Sequence, residues 1–185
     1  NNPTTHMSRI TSAKIKGRVK CNIDTAGLSL PLHVPNLPEC KLDYALHLEG
    51  VQKMDEWIGI FLEDLRKRDF LENTIIFFFS DHGGCLPRGK AFPYRTGFQC
   101  PLIIYTPPNW QHMLPEEIGE TSDRMVSFID FGPTLLSIVG VEPPETMQGI
   151  PFMGEYKEKP RKYVHGFRTN TAHHYDPSRV TYDGR

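Results

Sequence analysis

The chain has no apolar run approaching the ~20 residues that span a bilayer, so no transmembrane helix is expected. It has no surplus of charge of either sign: 21 Lys and Arg stand against 22 Asp and Glu, for a net charge of −1 and a pI of about 6.8. That balance excludes the electrostatic footprint of a nucleic-acid binder and a polybasic membrane anchor. The four cysteines, Cys21, Cys40, Cys85 and Cys100, form no C-x-x-C pair, which argues against a zinc site or a thioredoxin-type motif. One disulfide and free buried thiols both remain open. There is no internal repeat, no initiating Met and no signal-peptide pattern, and the last residues, Asp183-Gly184-Arg185, carry no helix stop. The expectation is a fragment of a longer protein.

What is present suits a folded, loop-rich α/β chain. Hydrophobic residues make up 38%, including 11 Phe, 7 Tyr and 2 Trp, enough for a core. The 15 Gly and 16 Pro exceed the usual ~12%. Residues 7–41 are broken by Gly17, Gly27, Pro31, Pro35 and Pro38 and read as irregular. From about Leu42 to Lys67, Val51, Met54, Ile58, Phe61, Leu62 and Leu65 recur at three- and four-residue steps, which predicts an amphipathic helix. Gly50 and Gly59 weaken it by roughly 1 kcal/mol each and are read as marks of close packing.

Ile75-Ile76-Phe77-Phe78-Phe79 is a continuous apolar run of strand length, expected to be core and buried on both faces, as in a parallel sheet. Leu102-Ile103-Ile104-Tyr105 reads as a second central strand, with a glycine-rich basic loop, Gly83 to Gln99, between the two. A second helix is predicted over about Phe131 to Val139, with Pro133 in its first turn and Gly140 beyond its end. A further strand is expected at Tyr163-Val164-His165-Gly166-Phe167 in a polar, His-rich tail. His33, His47 and His112 read as surface or loop residues, and Met113, Met125 and Met147 as packing.

Ligands of open α/β sheets sit beyond the carboxyl ends of the strands, which is where Asp81 and His82 fall. A carboxylate straight after five apolar residues calls for a counter-charge, and a divalent cation accepts Asp and His as ligands. Gly83 and Gly84 allow a sharp turn. Lys90, as a point charge, suits a sulfate or phosphate oxygen. Against these stand blander readings: Asp81 as a cap, His82 at the surface, and Arg88 and Lys90 on a solvated basic loop.

Thr74-Ile75-Ile76-Phe77-Phe78-Phe79-Ser80-Asp81-His82-Gly83-Gly84 resembles the second metal-binding motif of the sulfatase family, within the alkaline phosphatase superfamily. The lead-in Asp69-Phe70-Leu71-Glu72-Asn73-Thr74, the strand Cys100-Pro101-Leu102-Ile103-Ile104-Tyr105-Thr106-Pro107 and the segment Met125-Val126-Ser127-Phe128-Ile129-Asp130-Phe131-Gly132-Pro133-Thr134-Leu135-Leu136 resemble successive segments of the same family. So does Met147-Gln148-Gly149-Ile150-Pro151-Phe152. Asn2-Pro3-Thr4-Thr5-His6 and Leu86-Pro87-Arg88-Gly89-Lys90 are similar to the sulfamidase-like branch, which holds heparan N-sulfatase and bacterial glycan sulfatases.

The resemblance implies an α/β, alkaline-phosphatase-like, mostly parallel sheet flanked by helices, present here as a partial domain. Residues 1–156 would belong to the catalytic domain and 157–185 would begin a C-terminal subdomain. Asp81 and His82 would hold a divalent cation, usually Ca2+. Lys90 and His6 would act as catalytic residues on the sulfate and leaving group, and Arg168 and His174 would contact substrate, with His173 beside them. The implied activity is metal-dependent hydrolysis of sulfate esters, or of N-sulfate, on a sulfated carbohydrate, in an extracytoplasmic setting. The alternatives are a phosphatase, phosphodiesterase or phosphonate hydrolase of the same superfamily, and a non-catalytic binding module. The family's nucleophile is a formylglycine made in a Cys-x-Pro-Ser-Arg-type signature. Cys85-Leu86-Pro87-Arg88 lacks the Ser and brings its Arg one position early, so the formylglycine is expected upstream and the fragment alone is expected to be inactive.

Overall fold

The computed structural model describes residues 21–171 and 174–185. The chain divides into two compact units. Of the described residues, the first comprises 21–68 together with 80–101, and the second comprises 69–79, 102–171 and 174–185.

Helix α1, Pro38–Lys67, dominates the first unit. It starts four residues before the apolar periodicity does, because Pro38 occupies the first turn, where a missing N–H costs nothing. Glu39 lies in its first turn and Arg66 and Lys67 in its last, each complementing the helix dipole. Arg66 and Arg68 pair with Glu63 and Asp64 on its exposed surface. Only Ala45 and Leu46 are fully buried. Of the stripe expected to face a core, Val51, Met54 and Phe61 are exposed and Ile58, Leu62 and Leu65 are half-buried, with Trp57 and Ile60 exposed beside them. A Cβ built at Gly50 or Gly59 would meet nothing within 4 Å, so neither glycine marks a close approach. The rest of the described unit is residues 21–37, in turns and bends, and the segment 80–101, which contains one helical turn, α2, Arg95–Phe98.

The described residues of the second unit hold four strands and an α-helix. Strands β1, Ile76–Phe79, and β2, Leu102–Tyr105, form a two-stranded antiparallel sheet, with Ile76 opposite Tyr105 and Phe79 opposite Leu102. Strands β3, Val164–Thr171, and β4, His174–Tyr182, form a second antiparallel pair. The expected mostly parallel sheet is therefore corrected: the described strands make two short antiparallel sheets. An apolar run reports burial but carries no strand direction. A parallel partner needs a crossover, usually a helix, whereas residues 80–101 fold into turns and bring β2 back antiparallel. Nor is β1 sealed on both faces, since Phe79 is exposed. In the second sheet the register shifts between Arg168 and Asn170, opposite Pro177, which has no N–H to give to a ladder.

Helix α3, Phe131–Ile138, carries the core of this unit. Phe77, Phe79, Phe128, Phe131 and Phe152 form an aromatic cluster with centroid separations from 5.0 to 6.4 Å. At the start of α3, Asp130 is only 2% exposed. Its carboxylate accepts from Ser127 N and Ile150 N, each at 2.8 Å, from Arg161 Nε at 3.0 Å, and from Arg161 Nη2. Thr134 Oγ1 accepts from Phe152 N at 3.0 Å, and Ser137 Oγ accepts from Tyr156 N at 2.8 Å. Residues 150–161 are thus strapped to α3 by polar side chains whose buried groups are paired.

Candidate active site

The loop that follows β1 holds its shape through backbone contacts. Gly83 N donates to Gly97 O at 3.0 Å, and Lys90 N donates to Gly84 O at 2.9 Å. Thr96 Oγ1 donates to Arg88 O at 2.5 Å. A Cβ at Gly83 would stand 1.8 Å from Thr96 O, and one at Gly89 would stand 2.1 Å from Gly84 O. Only a residue without a side chain allows these approaches. Arg88 and Ala91 take φ of +61° and +71°, on either side of Gly89 and Lys90. Such backbone costs about 1–3 kcal/mol per residue and persists only where its surroundings hold it.

This loop presents three of the residues singled out from the sequence. Ser80 Oγ donates to His82 O at 2.6 Å and fixes the turn. His82 Nδ1 lies 2.8 Å from Gly83 O. A carbonyl only accepts, so Nδ1 carries the proton and Nε2 is left facing the Asp81 carboxylate, with Oδ2 at 3.5 Å. An Nε2 that carries no proton and a carboxylate are both electron-pair donors. Their approach is favourable with a proton or a cation between them, and that spacing suits two ligands of one ion. The pair therefore fits a divalent cation as two donors of a larger set. Among the described residues no group of three or more His, Cys, Asp or Glu could hold a metal.

The Asp81 side chain is 82% exposed, so desolvation does not force a counter-charge on it. The case for a cation rests on the opposed donors instead. Cys100 also belongs to this neighbourhood: burial, together with the Asp81 charge, pushes its thiol up from the ordinary value. It stays a thiol at neutral pH. All four cysteines are unpaired and partly buried.

Of the loop's two cations, Arg88 is engaged, its guanidinium 5.3 Å from the centroid of the Tyr94 ring. Lys90 is partly buried, and its ammonium has no partner among the described residues. His47, expected at the surface, sits instead on α1 with its ring against Gly84, where a Cβ would lie 3.0 Å from Cε1. Burial lowers its pKa. No local motif marks it, because its partner is 37 residues away; only its place on the predicted helix was legible.

Arg168 lies on β3, where its guanidinium bonds the Asp176 carboxylate and Ser178 Oγ. A substrate anion there would compete with an internal carboxylate. His174 opens β4, and its side chain lies outside the described residues, as do His6 and His173.

The sulfatase family model matches residues 10–141. The ulvan-active sulfatase of Formosa agariphila is 43% identical over 138 residues, covering 74% of this chain and 22% of that protein. The human N-sulphoglucosamine sulphohydrolase is 33% identical over 113 residues, 61% of this chain and 22% of that enzyme. Among solved structures, BT4656 in complex with its substrate D-glucosamine-2-N,6-O-disulfate superposes with a TM-score of 0.65 at 27% identity, over 79% of this chain and 31% of that one. The chain belongs to the sulfatase family, and its relatives in that family include bacterial glycan sulfatases and a sulfamidase. It spans about a fifth of the length of these two curated relatives.

Proposed function

We propose that this chain supplies the cation-binding and sulfate-holding part of a sulfatase active site that hydrolyses sulfate esters of a sulfated glycan. The observation that carries this reading is the single self-locked loop that offers Asp81, His82 and Lys90 together. Asp81 Oδ2 and His82 Nε2 would hold the cation, Ca2+ by family precedent, with other donors supplied from outside the described residues. Such an ion, when bound, neutralises sulfate oxygens and lowers the pKa of a coordinated nucleophile. The Lys90 ammonium holds a sulfate oxygen as a point charge. His6 donates to the leaving group, and Arg168 and His174 serve substrate contact, Arg168 only by exchanging Asp176 for a substrate anion. The relatives' names, an ulvan-active sulfatase and an N-acetylglucosamine-6-O-sulfatase of Bacteroides thetaiotaomicron, support a glycan substrate and with it an extracytoplasmic setting.

The test is sulfate release from an aryl sulfate, beside phosphate release from an aryl phosphate, with calcium present, by the full-length protein that contains this chain. Sulfate release is expected, falling by at least ~100-fold in Asp81→Ala. Phosphate release without sulfate release overturns the reading.

A further inference from the structure

A cleft of about 410 Å3 opens in the first unit, between α1 and the glycine loop. Its size lies within the ~300–1,000 Å3 of small-ligand sites. Its walls include Pro31, Leu86 and Pro87, and its ring-bearing polar residues are His33, Tyr44 and His47.

Three observations define what would suit it. The His33 Nε2 atom is buried and has no hydrogen-bond partner among the described residues, an unmade bond that a ligand can complete. Burial keeps His47 neutral by lowering its pKa, and raises that of Tyr44 so that the phenol keeps its proton. His47 and Tyr44 can therefore offer neutral hydrogen-bonding groups, and His33 an unmade bond, beside apolar walls. Arg95, at the edge, already gives its Nε to Gln99 Oε1 at 2.5 Å. Neutral donors and acceptors around apolar walls match a ring with a hydroxyl fringe and C–H faces. They match a bare anion poorly. The cleft also adjoins the candidate site: Gly84 and Gly89 line it, and Gly84 O holds the backbone N–H of Lys90.

We propose that this cleft seats a saccharide ring, the sugar that carries the sulfate or its immediate neighbour, and that His33, Tyr44 and His47 read its hydroxyl groups. The assignment to a substrate sugar rests on the sulfatase reading above, but the seat itself can be measured without turnover. The experiment is an NMR titration of the folded chain in EDTA with glucosamine and, separately, with glucosamine 6-sulfate. Both sugars are expected to shift the His33 and His47 ring resonances. His33→Gln and His47→Gln, confirmed as folded by circular dichroism, should weaken both sugars by a similar factor of about 10, which is one unit of log Kd. Tyr44→Phe keeps the ring, removes only the hydroxyl and should act in the same direction. Lys90→Ala should weaken the sulfated sugar alone.

If glucosamine moves neither histidine ring, or if all three cleft variants leave both dissociation constants unchanged, the proposal is overturned. If Lys90→Ala has no effect while the cleft variants do, the sugar seat stands and the sulfate role of Lys90 falls.

Discussion

The middle of α1 and the loop after β1 are both punctuated by glycine, and the two sets have opposite physical meanings. At Gly50 and Gly59 the space where a side chain would stand is open. These glycines cost helix stability and give nothing back within the described residues. At Gly83 and Gly89 the same space is filled by backbone oxygen, and the contacts so made hold the turn that presents Asp81, His82 and Lys90. Sequence alone reads glycine as weakness in a helix and freedom in a loop. Here the loop glycines buttress the turn, and each helix glycine sits where nothing described covers it.

Substitutions sharpen the contrast. The largest effect is expected from Gly83→Ala or Gly89→Ala, where a Cβ meets backbone at 1.8 or 2.1 Å and the chain must move. Chemical denaturation should show a loss of about 3 kcal/mol, with sulfate release lost alongside. An unchanged midpoint would mean that the loop is not self-packed. Gly84→Ala should cost less, about 1 kcal/mol, because the atom it meets at 3.0 Å belongs to the His47 side chain, which can turn aside. A cost equal to that of Gly83→Ala would show that His47 is held rigidly. The smallest effect has the opposite sign: Gly59→Ala should stabilise by roughly 0.5–1 kcal/mol, read as a rise in melting temperature. Destabilisation there would break the comparison, since it would mean that the exposed face of α1 is covered in the working protein.

Local pattern made some of this legible. Strand β2 falls on the four residues whose composition marked it, and α3 ends within a residue of its predicted limit. The apolar run of β1 was visible, but pairing direction is set by what the intervening chain does, which no local periodicity records. Strand β4 was missed because Pro177 and its polar neighbours mask the β-formers Val180, Thr181 and Tyr182. Asp130 was visible within a motif, but its partner Arg161 lies in a stretch that read only as a polar tail. The same division holds in the candidate site. Asp81, His82 and Lys90 sit in one contiguous signature and could be named. His33 and His47 acquire meaning only when α1 is laid against the loop.

Phe79 pairs with Leu102, so residues 80–101 leave the strand ladder and return to it at one doorstep. Such a segment can be exchanged like a cassette. The entropic toll for closing a loop grows slowly, about 0.6 kcal/mol for each doubling of length, so an insert between the same two strands is thermodynamically cheap. What limits replacement is whether the newcomer can lock itself, as the glycine contacts do here. A protein built this way can change what its loop grips without renegotiating the strands that carry it.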